Sequence, residues 1–216
     1  MTDQVGRLIE LGRDGEAAHL AVRDAGVAIE SEAAVAGPLE QFDVLIPAFM
    51  RLARDDREGF LELRTPCEGW VVRDLLAHAN GGARMFAAVF EGRAVREREL
   101  GDHPADTAGE ALAEFDKAIR GPGALEQIVE TPFGEMPGEV FARIAALDLL
   151  MHTWDISQAS GQEPTVPDEI VRAIDEFARQ AITDEMRTPG LFGPEVAPPA
   201  NASRLDALAA FTGRRP

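Results

Sequence analysis

The stretch EVFARIAALDLLMHTWDISQA, residues 139–159, reads as one helix closed by Gly161. Val140, Phe141, Ile144, Leu147 and Met151 recur along it at three- and four-residue steps, the spacing of a core-facing stripe. Asp148 and His152 fall on that same stripe, one turn apart. Residues i and i+4 differ by about 40° around a helix and roughly 6 Å along it, so both polar heads can converge on one point beside the helix. A carboxylate and an imidazole taken out of water need partners. Two readings follow from the residues alone: the pair holds a metal ion, or the two groups satisfy each other as a core ion pair. A third donor for a metal is found in WVVRDLLAHANGG, residues 70–82, where His78 shares an apolar helix face with Val71, Leu75, Met85, Phe86 and Val89.

Around these two helices the periodicity predicts an all-α bundle. A helix is expected over 39–63, with Pro47 either starting it or kinking it. Others are expected over 71–91, 105–120 and 168–182, and a short last one from Ser203 to Gly213. Residues 127–131 read as briefly extended and Gly134–Gly138 as a turn, and 189–203 form a Pro-rich segment. No βαβ pattern and no repeat emerges. Residues 1–38, with glycines between short Ala-rich stretches, read as an N-terminal extension of uncertain order, and 39–216 as the bundle.

Composition narrows the function classes. The 216 residues, 45% of them hydrophobic, suffice for one substantial core. A formal net charge of -17 argues against nucleic-acid or anionic-membrane partners, because neutralising phosphates needs a cationic surface. Neither a long apolar run nor a basic-then-apolar N-terminus is present, so the expected setting is cytoplasmic. Cys67 is the single cysteine, which leaves nitrogen and oxygen donors for any transition-metal site.

Three blocks carry a family resemblance: TPCEGWVVRDLLAHANGG (65–82), LDLLMHTWDISQASGQ (147–162) and PGLFGPEVAPPANASRLDALAAFTGRRP (189–216). In this order they resemble the DinB-like metal-binding helical-bundle superfamily, and within it proteins related to the N-terminal domain of mycothiol-dependent maleylpyruvate isomerase. The resemblance implies a DinB-like four-helix bundle with additional short helices. It also implies a divalent metal, in most members zinc, held by His78, Asp148 and His152. Ni²⁺, Fe²⁺ or Mn²⁺ would also suit such donors. Three protein ligands leave a fourth position open, the pattern of a catalytic zinc site. For relatives the resemblance implies a small thiol, mycothiol or a similar one, bound there as thiolate and attacking an electrophile. The chain departs from the isomerase branch in having Asp148 where that branch uses Glu, and in ending without the isomerases' further C-terminal domain. The isomerase reaction itself is therefore not expected.

The leading expectation is a thiol-dependent transferase or isomerase acting on a small-molecule electrophile. The alternatives are a metal or small-ligand binding module without turnover, and a metal-free helical assembly protein. Bundles that leave one apolar face uncovered commonly pair, which makes a homodimer an expected option. Asp155 is suited either to orient a ligand imidazole or to bond backbone groups of another helix. Trp70 and Trp154 lie near the ligand helices and read as packing before pocket lining, and Cys67 reads as structural. Arg84 and Arg143 are the candidate cations near the site in sequence for holding an anionic substrate or cofactor group, with surface ion pairing their simpler role. Gly81-Gly82 mark either a helix end or a close approach. His19 and His103 lie in polar surroundings and carry no assignment.

Overall fold

The computed structural model describes residues 36–96, 100–187 and 192–216. The expected N-terminal extension lies almost wholly outside the described residues. Four long helices form the body: α1 (Pro38–Ala53), α2 (Val72–Phe90), α3 (Pro104–Ile119) and α4 (Gly138–Ser160). A hairpin of β1 (Ile128–Thr131) and β2 (Gly134–Pro137) joins α3 to α4. After α4 come α5 (Asp168–Ala181), a single turn α6 (Asp184–Arg187) and α7 (Arg204–Phe211). The most extensive pairings are α2 with α3 and α1 with α4, and contacts of α2 with α4 and α1 with α3 close the bundle. No helix among the described residues is long and apolar enough to cross a membrane.

Phenylalanines from all four long helices meet in the core. Phe42 of α1 meets Phe115 of α3 edge-on at 4.9 Å, and Phe86 of α2 lies 5.7 Å from Phe115 and 4.9 Å from Phe141 of α4. Such pairs add about 0.5–1.5 kcal/mol each beyond their area burial. Helix starts rely on acids three residues in. Glu40 accepts from the Gly37 amide at 3.1 Å and Asp74 from the Val71 amide at 3.0 Å. Neither Gly37 nor Val71 has a side-chain oxygen to return the bond, so only the acidic half of a capping box is present.

Two expected boundaries move. α1 begins at Pro38, runs through Pro47 and ends at Ala53 instead of reaching Leu63. Past that end Asp55 accepts from both the amide and the guanidinium Nε of Arg57, each at 3.0 Å through Oδ1, and Gly59 takes a left-handed φ of 78°. That local bonding competes with helix continuation, and the chain resumes only as a 3-10 turn at Phe60–Glu62. The Gly134–Gly138 turn is instead β2, paired with β1 in the register Ile128↔Pro137 to Thr131↔Gly134. The reversal sits earlier, where the Thr131 hydroxyl donates to the Gly134 carbonyl at 2.7 Å and accepts from the Phe133 amide at 3.0 Å.

The hairpin runs straight into α4. Its first amides donate to loop carbonyls, Gly138 to Gln127 at 2.8 Å and Glu139 to Leu125 at 2.9 Å. A Cβ at residue 138 would stand 2.2 Å from the Ala124 carbonyl oxygen, so only glycine fits. From Ala145 to Ser157 every residue of α4 but Asp148 is buried. The single-stripe reading is thereby corrected: α1, α2, α5 and α7 all pack on this helix. Val140, Ile144 and Asp148 form a half-buried line along it, so the supposed core stripe includes the side on which the site opens.

Candidate metal centre

His78 of α2 and the Asp148–His152 pair of α4 converge where those helices pack together. Asp148 Oδ1 lies 3.6 Å from His78 Nε2 and 3.4 Å from His152 Nε2. The imidazoles meet edge to face, 4.6 Å between centroids, and both are buried while Asp148 is half-buried. These separations are long for hydrogen bonds, which favour 2.7–3.2 Å for nitrogen donors and oxygen acceptors. They approximate the edge of a tetrahedron around a zinc-sized ion, about 3.3 Å for bonds near 2.0 Å. The donor set thus fits a divalent cation better than it fits a closed ion pair.

The ring of His152 is oriented from behind. Its Nδ1 lies 3.0 Å from Asp155 Oδ2, one turn along α4, which leaves Nε2 for the centre. Asp155 is fully buried and takes two bonds from Arg214, Nε to Oδ1 at 2.9 Å and Nη2 to Oδ2 at 2.8 Å, while Cys67 Sγ donates to Oδ2 at 3.3 Å. A carboxylate behind a metal-binding histidine is the usual way its tautomer and orientation are held. His78 differs: its Nδ1 is buried with no hydrogen-bond partner among the described residues.

Charges in this cluster shift their neighbours. Burial alone would push the Asp148 carboxyl up, but the charge of His152 and the polar contacts of both imidazoles hold it well below the usual carboxylate range. Burial alone would lower His152, but the Asp148 charge, with contacts to Asp148, Asp155 and Cys67, pushes it well above the ordinary imidazole value. Burial would likewise raise Asp155, and the Arg214 charge with bonds from His152 and Arg214 more than reverses it.

The loop before α2 supplies a wall. The Trp70 amide donates to the Cys67 carbonyl at 3.0 Å, with Gly69 at a left-handed φ of 79° between them. That tight turn presents the half-buried Trp70 ring at 5.3 Å from His78 and stacked at 6.3 Å on His152. Behind Asp148 and His152 an apolar cleft of about 20 Å³, room for about one water, runs between Phe42, Ala79, Ala83, Phe86 and Phe115.

The sequence model of the mycothiol maleylpyruvate isomerase N-terminal domain matches residues 42–157. The chain belongs to that family. Two uncharacterized proteins of Mycobacterium tuberculosis, MT0763 of strain CDC 1551 and Rv0738 of strain H37Rv, are each 32% identical over 172 residues, covering 77% of this chain and 92% of theirs. The crystal structure of a mycothiol-dependent maleylpyruvate isomerase superposes with a TM-score of 0.50 at 16% identity, over 64% of this chain and 66% of that one. A mutant of the isomerase gives 0.51 at 15%, with the same coverage. At such identity the likeness is one of fold.

In this member of the isomerase N-terminal-domain family, then, the three residues expected to act together do lie together. The other candidates divide. Asp155 orients His152 instead of bonding another helix, and Trp70 faces the centre. Trp154 is packing: it is buried and donates from Nε1 to Asp206 at 2.8 Å. Arg84 is taken by Asn80 at 3.1 Å and Glu114 at 2.7 Å, and Arg143 by Glu139 at 2.8 Å. Gly81 and Gly82 lie mid-helix in α2, which excludes helix termination as their explanation. Cys67 is structural in place, yet it touches the carboxylate that orients His152. Arg214 had no signal in the periodicity, because it follows the last helix on a segment of no regular pattern.

Proposed function

We propose that this protein binds one divalent ion, of the zinc class, through His78 Nε2, Asp148 Oδ1 and His152 Nε2, and uses it with a small thiol of the mycothiol kind. The reaction is transfer of that thiol to a small electrophile, or isomerisation of the electrophile through it. The observation that carries the reading is the convergence of His78, Asp148 and His152, with one Asp148 oxygen 3.6 and 3.4 Å from the two Nε2 atoms and ligand atoms of all three residues within 4.8 Å of one another. When bound, the ion would supply the positive charge that keeps a thiol as its thiolate at neutral pH. The chain's own residues do the rest. Asp155 holds the His152 ring in place, and Trp70 screens the imidazoles from water.

The thiol part of the proposal draws support from family membership. A cytoplasmic setting, where small thiols stay reduced, belongs to the same reading.

Elemental mass spectrometry on wild type, Asp148→Ala and His152→Ala tests it. About one equivalent of metal per wild-type chain is expected, and its loss from both variants. The loaded wild type is then expected to consume a model electrophile only when mycothiol is added, and His152→Ala to show no such consumption. A wild type that takes up no ion on reconstitution, or a His152→Ala protein that turns over normally, would refute the proposal.

A further inference from the structure

The C-terminal arm contributes a residue that the proposed chemistry has not used. After α7 the chain reverses at Gly213, φ 96°, against Gly193; a Cβ at Gly213 would stand 2.5 Å from the Gly193 Cα. The Arg214 amide then donates to the Ala209 carbonyl at 2.9 Å, and the guanidinium enters the bundle. There it forks onto both oxygens of Asp155, and its Nη1 donates to the Thr212 hydroxyl at 3.1 Å. A planar fork on both oxygens fixes the plane of a carboxylate, which a point charge does not. Once that plane is fixed, so is the direction from Asp155 Oδ2 to His152 Nδ1, 3.0 Å away, and with it the rotation of the imidazole.

We infer that Arg214 is a positioning residue: acting through Asp155, it turns the His152 ring so that Nε2 faces His78 and Asp148. This rests on the metal-site reading above and makes the C-terminal arm a working part of the centre, reached through Asp155.

The test measures zinc affinity by chelator competition and the cobalt(II) absorption spectrum in wild type, Arg214→Lys, Arg214→Ala and Arg187→Ala. Arg187 anchors the same arm, donating to the carbonyls of Gly193 at 2.7 Å and Phe211 at 2.8 Å, so its removal reports loosening of the arm without loss of the fork. Arg214→Lys keeps the charge without the fork. It is expected to weaken zinc by about 10- to 100-fold and to alter the cobalt spectrum. Arg187→Ala is expected to lower the melting temperature and leave both unchanged, and millimolar guanidinium to restore zinc binding to Arg214→Ala. A folded Arg214→Lys protein with wild-type affinity and spectrum overturns the inference, as does an equal loss in Arg187→Ala. Failure of the metal reading is told apart by nitrogen NMR of the metal-free protein. If wild type binds no ion, the inference stands when the His152 ring-nitrogen resonances move in Arg214→Lys and falls when they do not.

Discussion

Asp155 has no exposure at all, yet it stays ionised because Arg214 and His152 surround it. Together with Asp148 it gives His152 a double reason to hold a proton in the metal-free protein, whereas a metal ligand must be neutral. Loading at neutral pH is therefore expected to release about one proton, and affinity to rise with pH toward the raised value of His152 and then level off. Calorimetry in buffers of different ionisation enthalpy checks this; binding without proton release would contradict it. The same shifts set the stability of the metal-free form. The His152 contribution is complete below the unfolded imidazole pKa and disappears as pH rises through the folded value. The contributions of Asp148 and Asp155 are complete above the unfolded carboxylate pKa and disappear as pH falls through theirs. The melting temperature of chelated protein is expected to be highest between these limits and to fall on either side, with the alkaline fall absent from His152→Ala.

At the scale of elements, α4 depends on the segment that feeds it. The loop carbonyls of residues 124–127 crowd its first turn, so Gly138→Ala sets a methyl against the Ala124 oxygen. A loss of about 1–3 kcal/mol is expected in urea denaturation, the usual size of an overpacking error. The other long helices were legible in the sequence because Phe42, Leu45, Leu75, Phe86, Leu112 and Phe115 repeat at helical spacing and their ends carry proline or glycine. The hairpin was half legible, since β1 is enriched in strand formers whereas GEMP in β2 resembles a turn until its partner is known. The α1 boundary failed because apolar residues continue to Leu63, and nothing in periodicity weighs the grip of Asp55 on Arg57. His78, Asp148 and His152 were found as polar residues among apolar neighbours. Arg214 was not, because its partner Asp155 lies 59 positions away.

In the whole molecule the aromatic core adjoins the centre: Phe42, Phe86 and Phe115 line the cleft behind Asp148 and His152. The interlocked Phe42, Phe86, Phe115 and Phe141 tie the four long helices together, and Phe115→Ala is expected to cost about 3–5 kcal/mol. Chelation, by contrast, is expected to leave the far-ultraviolet circular dichroism intact and to move only the melting temperature. Unfolding on chelation would mark the ion as structural. The half-buried line of Val140, Ile144 and Asp148 carries a consequence for descent. Because Val140 and Ile144 are only partly buried where they pack on the core, exchanging one apolar side chain for another there is expected to cost the fold less than at the fully buried positions of α4. A lineage built on this frame is expected to vary that flank of α4 faster than it changes shape.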